Sequence, residues 1–233
     1  MHEIRHQFNV QLKELEEQVL EGFDLVIEQL GHAMEAVARG DVSLAESVVA
    51  ADHPIDRRYL EIHQGAITLL ASQAPVARDL RLVAALLHVA WCLERMGDQC
   101  VNIAKLVPLS SRDTPGDEQM LAAIERMSQL VDLQVAQAKD TFYSRNIELA
   151  EDLAQQDAEV DHLNRQVFRR AVDIGGDAAL REWAMFTVLT ARALERIGDN
   201  TVDVAEQVVF LVTGQLRELG DVRHSRGEGP GRT

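Results

Sequence analysis

Aromatic residues are scarce in this 233-residue sequence, at 4%, and cysteines number only two. Strands draw heavily on aromatic and β-branched side chains, and no run along the chain reads as a strand. Cys92 and Cys100 fall on one expected helix. Eight helical residues rise about 12 Å, beyond the ~7 Å that a disulfide bridges between Cα atoms. Positive charge is also short: 23 Lys and Arg against 38 Asp and Glu leave a net charge of -15 and a pI near 4.9. Such a surface repels phosphate backbones and anionic lipid headgroups, which argues against nucleic acid as a partner and against electrostatic docking on membranes. It suits cations or a basic protein. No apolar run approaches the ~20 residues of a membrane span. The first segment, MHEIRHQFNVQLKELEEQ, has no signal-peptide apolar region, so the expected location is cytoplasmic with no direct membrane insertion.

What is abundant is helix-forming. Apolar residues reach 46%, and Ala, Leu, Val, Glu, Gln and Arg dominate. In FNVQLKELEEQVLEGFDLVIEQLGHAMEAVA the apolar positions recur at three- and four-residue steps, the period of an amphipathic helix. Gly40-Asp41 stops this helix and caps a second, in which Pro54 predicts a kink. Pro75, in SQAP, suits a first helical turn; the third helix is expected over about 76–106. VPLSSRDTPGDEQ, at 107–119, clusters turn residues. Three more helices then follow, over about 118–143, 146–172 and 178–212. The expected fold is all-α: two tandem similar three-helix bundles at 1–107 and 118–213, joined by a linker at 108–117 and followed by a flexible tail at 214–233.

The tandem reading rests on a doubled phrase. LERMGDQCVNIA begins at Leu93, and LERIGDNTVDVA begins 101 residues later, at Leu194. The segment GDVSLAESVVAADHPID likewise aligns with RNIELAEDLAQQDAEVD, setting Asp52 against Asp157 and Asp56 against Asp161. In the first phrase Leu86, Val89, Leu93, Met96, Cys100 and Ile103 share one apolar face. Glu94, Asp98 and Asn102 step by four, each turned only about 40° from the last, and form a stripe beside that face. The second copy offers Glu195, Asp199 and Asp203. Antiparallel packing of the second and third helices would bring Asp52 and Asp56 to the first stripe, and Asp157 and Asp161 to the second. Each gathering is a hard-oxygen site for a divalent or trivalent cation. Gly97 and Gly198 each cost their helix about 1 kcal/mol against alanine, which implies close approach by a helix backbone or a bound cluster.

Other readings of the same residues stand beside this one. Acidic stripes are commonly solvated faces, with Arg57, Arg95, Arg165 and Arg196 on hand to pair with them; the chain would then be a purely structural helical adaptor. A ferritin-like oxidase would need paired Glu-x-x-His segments. Glu159-His162 and Glu3-His6 fit that spacing, but neither third helix carries one, and Glu159 is turned about 200° from Asp157. His32, His53, His63 and His88 lack partners at metal-ligand spacing and read as surface or boundary residues. Trp91 reads as a packing residue. Met34, Met96, Met127 and Met185 read as core.

The segments ASQAPVARDLRLVAALLHVAWCLERMGDQCVNIA and LTARALERIGDNTVDVAEQ resemble the two signature segments of the PhoU family, over about residues 8–213. The resemblance implies two similar three-helix bundles, a homodimer and a non-enzymatic role: negative regulation of the phosphate-starvation response and of phosphate uptake. It implies as partners the ATPase subunit of a phosphate ABC transporter and a sensor histidine kinase. It also implies multinuclear clusters of iron, manganese, zinc or magnesium. The ligands would be Asp52, Asp56, Glu94 and Asp98 in one copy and Asp157, Asp161, Glu195 and Asp199 in the other, with Asn102 and Asp203 extending the stripes. Asn102 stands where the second copy keeps a carboxylate, so the second site is expected to bind more tightly.

Overall fold

The computed structural model describes residues 2–51, 53–72, 75–110, 116–175 and 177–219. Helix α1 (His2–Arg39) buries Phe8, Leu12, Leu15, Val19, Phe23, Val26 and Leu30, which follow the helical period. Gly40 ends it in the left-handed region at φ 58°, and Asp41 caps α2 (Val42–Ala50) by accepting from the Leu44 amide at 3.1 Å.

The second helix is not one kinked rod, as expected, but two. It stops at Ala50 and restarts as α3 (His53–Ser72), with Pro54 in its second position. A proline ring there clashes with the carbonyl four residues back, whereas a first turn does not use the missing amide hydrogen. Pro75 also lies differently from expectation. It precedes α4 (Ala77–Leu106), whose N-terminal boundary residue is Val76.

After a short 3₁₀ turn at Val107–Leu109, α5 (Glu118–Ser144) starts at Asp117, which caps the Met120 amide and also pairs with Arg170 at 2.6 Å. That guanidinium holds the Asp117 carboxyl below its ordinary range. Arg145 (φ 56°) and Asn146 turn the chain into α6 (Ile147–Asp173), and Asp177 caps α7 (Ala178–Thr213).

The fold is all-α, with no strand among the described residues. Helices α1, α3 and α4 pack on one another, as do α5, α6 and α7. The two bundles join along α4 against α7 and α1 against α5, where Phe23 and Phe142 bring ring centroids to 6.4 Å. Met96 and Met127 are fully buried and Met34 packs at the core edge, but Met185 is 56% exposed and is not core. Cys92 and Cys100 are both buried, and neither is in a disulfide. Among the described residues, no helix is long and apolar enough to cross a membrane. The expected flexible tail falls mostly beyond residue 219, outside the described residues.

Candidate metal centre

The face expected to be apolar on α4 is buried throughout, from Leu86 through Met96 to Ile103. The corresponding face of α7 is buried too, and it sets the acidic stripe at the seam with α6. There the carboxylates of Asp157 and Asp161 on α6 and Asp199 on α7 bring oxygens within 4.8 Å of one another. Asp157 is only 3% exposed, Asp161 half-buried, and Asp199 lies at the solvent rim.

Glu195 stands one turn before Asp199 and is 7% exposed. One of its oxygens pairs with Arg192, while Oε2 is buried with no hydrogen-bond partner. An orphaned carboxylate oxygen at this depth is costly unless something positive meets it.

Gly198 explains how Asp157 fits. A Cβ at this position would stand 2.7 Å from Asp157 Oδ1 and 3.2 Å from Gln134 Oε1. Gln134, wholly buried on α5, donates through Nε2 to Asp157 Oδ1 at 3.3 Å. All three helices of the second bundle therefore contribute polar groups to one place. Sequence reasoning missed Gln134 and Arg192. The available signal was a glutamine on the otherwise apolar face of α5, with a counterpart, Gln29, in α1.

Electrostatics report how crowded the carboxylates are. Burial, and then the neighbouring Asp199 charge, push Glu195 up to about 7; Arg192 opposes this, and Asp161 and Asp157 add to it. Partial burial and the charges of Asp157 and Asp161 push Asp199 up to about 6. Mutual repulsion of this kind is what a bound cation relieves.

The first bundle differs. Glu94 and Asp56 are half-buried, Asp98 and Asn102 are exposed, and no three carboxylates there converge among the described residues. Asp52 lies outside those residues. The space over Gly97 is taken by Ile55, whose Cδ1 and Cγ2 would meet an added Cβ at 3.0 and 3.2 Å, and by Gln29 Oε1 at 3.4 Å. Both glycines thus mark close approach, but by side chains rather than by a helix backbone: a methyl group in one bundle and a carboxylate in the other.

Asp203 departs from the stripe's expected company. Its carboxylate faces α4, within 4.8 Å of ligand atoms of His88 and Cys92. His88 therefore has a partner at metal-ligand spacing after all, contrary to the sequence reading, because Cys92 lies one helical turn on.

Of the arginines expected to pair with the stripes, Arg165 lies 3.6 Å from Asp161, whereas Arg95 sits over the Trp91 ring at 5.3 Å. Trp91 is 39% exposed and packs on His88 and Arg95. Glu159 faces away from the cluster and pairs with Arg126 at 2.9 Å.

Known proteins share this fold. A family model described as the PhoU domain matches residues 19–107 and again 124–208. The phosphate-specific transport system accessory protein PhoU homolog of Clostridium acetobutylicum is 30% identical over 217 residues, covering 92% of this chain and 98% of its own. The Caulobacter vibrioides homolog is 32% identical over 188 residues, covering 80% and 81%. The crystal structure of the phosphate transport system regulatory protein PhoU from Streptococcus pneumoniae superposes with a TM-score of 0.83 at 28% identity, over 90% of this chain and 99% of that one. PhoU from Pseudomonas aeruginosa gives 0.82 at 28%, over 89% and 100%.

Proposed function

Because this chain belongs to the PhoU family, we propose that it is a phosphate-transport accessory protein that represses the phosphate-starvation response and restrains phosphate uptake. The observation that carries the proposal is the family match to both bundles, together with likeness to PhoU relatives over nearly their whole length. In this reading the protein is a cytoplasmic, non-enzymatic adaptor, working as a homodimer between the ATPase subunit of a phosphate ABC transporter and a sensor histidine kinase. The net charge of -15 supports protein partners over nucleic acid.

Cation binding is part of the proposal. Asp157, Asp161, Glu195 and Asp199 would hold the ion, and the residues fit one. The donors are all oxygens, Glu195 Oε2 is orphaned and buried, and Gly198 clears the space Asp157 occupies. Oxygen donors suit magnesium, manganese or iron, and zinc accepts them too. A bound ion would supply positive charge that lets all four carboxylates ionise together. The protein's own share is to orient them: Gln134 fixes Asp157, Arg192 fixes Glu195, and the α6–α7 seam shields both from water. The first bundle's Asp52, Asp56, Glu94, Asp98 and Asn102 are proposed as a second, weaker site. The oxidase alternative gains no support, since Glu159 is engaged by Arg126 away from the cluster.

Deletion of the gene in its host, with a phosphate-starvation reporter read at high phosphate, tests the regulatory role. Derepression is expected; unchanged repression contradicts it.

A further inference from the structure

The joint between the bundles holds a donor set unlike the acidic cluster. His88 and Cys92 are one helical turn apart on α4, so both project from the same side of that helix toward α7. Asp203 meets them from α7, and one nitrogen, one sulfur and one carboxylate oxygen lie within 4.8 Å of one another. Cys92 is buried, while His88 and Asp203 are half-buried, so the trio is reachable from solvent at one end.

We propose that His88, Cys92 and Asp203 form a binding site for a borderline cation of the zinc type, pinning α4 of the first bundle to α7 of the second. Ligand distances of about 2.0–2.3 Å to such an ion require donor atoms roughly 3.3–3.8 Å apart. From separations within 4.8 Å the trio reaches that by contracting at most about 1.5 Å, within the compass of side-chain rotation. The mix of sulfur, nitrogen and oxygen selects zinc over magnesium or calcium, which take oxygen alone. Three protein ligands leave a fourth position for water or for a partner's side chain. Binding is a simple exchange: the Cys92 thiol gives its proton to solvent as the sulfur–metal bond forms, with no redox change.

The internal repeat supplies independent support. Moving each residue by the 101-place offset gives Leu189 for His88, Ala193 for Cys92 and Asn102 for Asp203. The related positions hold no histidine, no cysteine and no carboxylate. A carboxylate kept merely as part of an acidic stripe has no reason to be absent where His and Cys are absent. The site also explains why Asp203 turns from the Asp157 cluster, although it lies on α7 one turn beyond Asp199.

The test is a Co²⁺ titration of the full-length reduced protein, followed by Zn²⁺ competition. One equivalent of cobalt should raise a thiolate-to-cobalt charge-transfer band in the near ultraviolet, and zinc should abolish it. Cys92→Ser should remove the band, while Cys100→Ser keeps it. His88→Gln and Asp203→Asn should each weaken binding at least tenfold with unchanged helical circular dichroism. Asp157→Asn with Asp161→Asn should leave the band intact, which separates this site from the oxygen cluster. No thiolate band, a band that survives Cys92→Ser, or His88→Gln and Asp203→Asn variants that bind like the parent would each overturn the proposal.

Discussion

The Asp157 carboxylate occupies the space that a side chain at residue 198 would need: its Oδ1 lies 2.7 Å from where a Gly198 Cβ would stand. An alanine at 198 must therefore push Asp157, and Gln134 with it, away from Glu195 and Asp199. Gly198→Ala should lower Mn²⁺ affinity at least tenfold, as read by calorimetric titration. Gly97→Ala, which meets Ile55 methyls that can rotate aside, should leave Mn²⁺ binding at the second bundle unchanged. Its stability should shift by no more than about 1 kcal/mol, helix propensity offsetting the crowding.

Acid should stabilise the cation-free protein. Glu195 titrates near 7 and Asp199 near 6, both above their ordinary values of 4.5 and 3.8. Between the unfolded and folded values the native state binds more protons, so stability is highest below pH 4–5 for this pair and falls as pH rises through 6 and 7. Thermal melts in chelator should show a lower Tm at pH 8 than at pH 5.5, by several degrees on the scale of roughly 2–4 °C per kcal/mol. Saturating Mn²⁺ should flatten the slope. A Tm that climbs with pH in chelator contradicts the crowding described for these carboxylates.

Arg192 is the cluster's built-in counter-charge, pairing with the one Glu195 oxygen that has a partner. Arg192→Ala should destabilise the cation-free protein by about 1–2 kcal/mol at pH 8, because the buried Glu195 carboxylate then loses the one cation paired with it among the described residues. The loss should shrink when Mn²⁺ is added. Urea midpoints with and without metal measure the difference.

The joint between bundles has its own weak point at Arg145. This residue adopts φ 56°, stacks on Phe142 at 4.1 Å and pairs with Glu16 of α1. Arg145→Ala keeps the strained backbone and loses both contacts, so it should cost more than Arg145→Gly by up to about 1 kcal/mol. Glu16→Gln should cost less than either. Equal urea midpoints for the alanine and glycine variants contradict the left-handed turn.

The period of apolar residues made the six helical segments legible, because burial of one face fixes period and length together. Gly97 and Gly198 made close approach legible as well. The break at Ala51 was not, since a proline inside a helical pattern is compatible with a kink or with a fresh start; the outcome is decided by how α2 and α3 pack on α1 and α4. Gln134 left only a faint trace, a lone glutamine on an otherwise apolar face, which by itself names no partner. The direction of Asp203 escaped for a related reason. Angle along α7 places it beside Asp199, but only the crossing of α4 over α7 brings it to His88 and Cys92. The expected advantage of the second site therefore rests on Asp157, Gln134 and Glu195 rather than on an added charge at Asp203.

The central claim is that the carboxylates of α6 and α7 form a cation site that the first bundle does not match. Mn²⁺ binding followed by electron paramagnetic resonance, comparing the parent with Glu195→Gln/Asp199→Asn and with Glu94→Gln/Asp98→Asn, tests it most directly. The account predicts that the first pair abolishes the tightest bound Mn²⁺ while the second leaves it in place. Tight binding that survives Glu195→Gln/Asp199→Asn, or that is lost equally with the Glu94 and Asp98 changes, would contradict it.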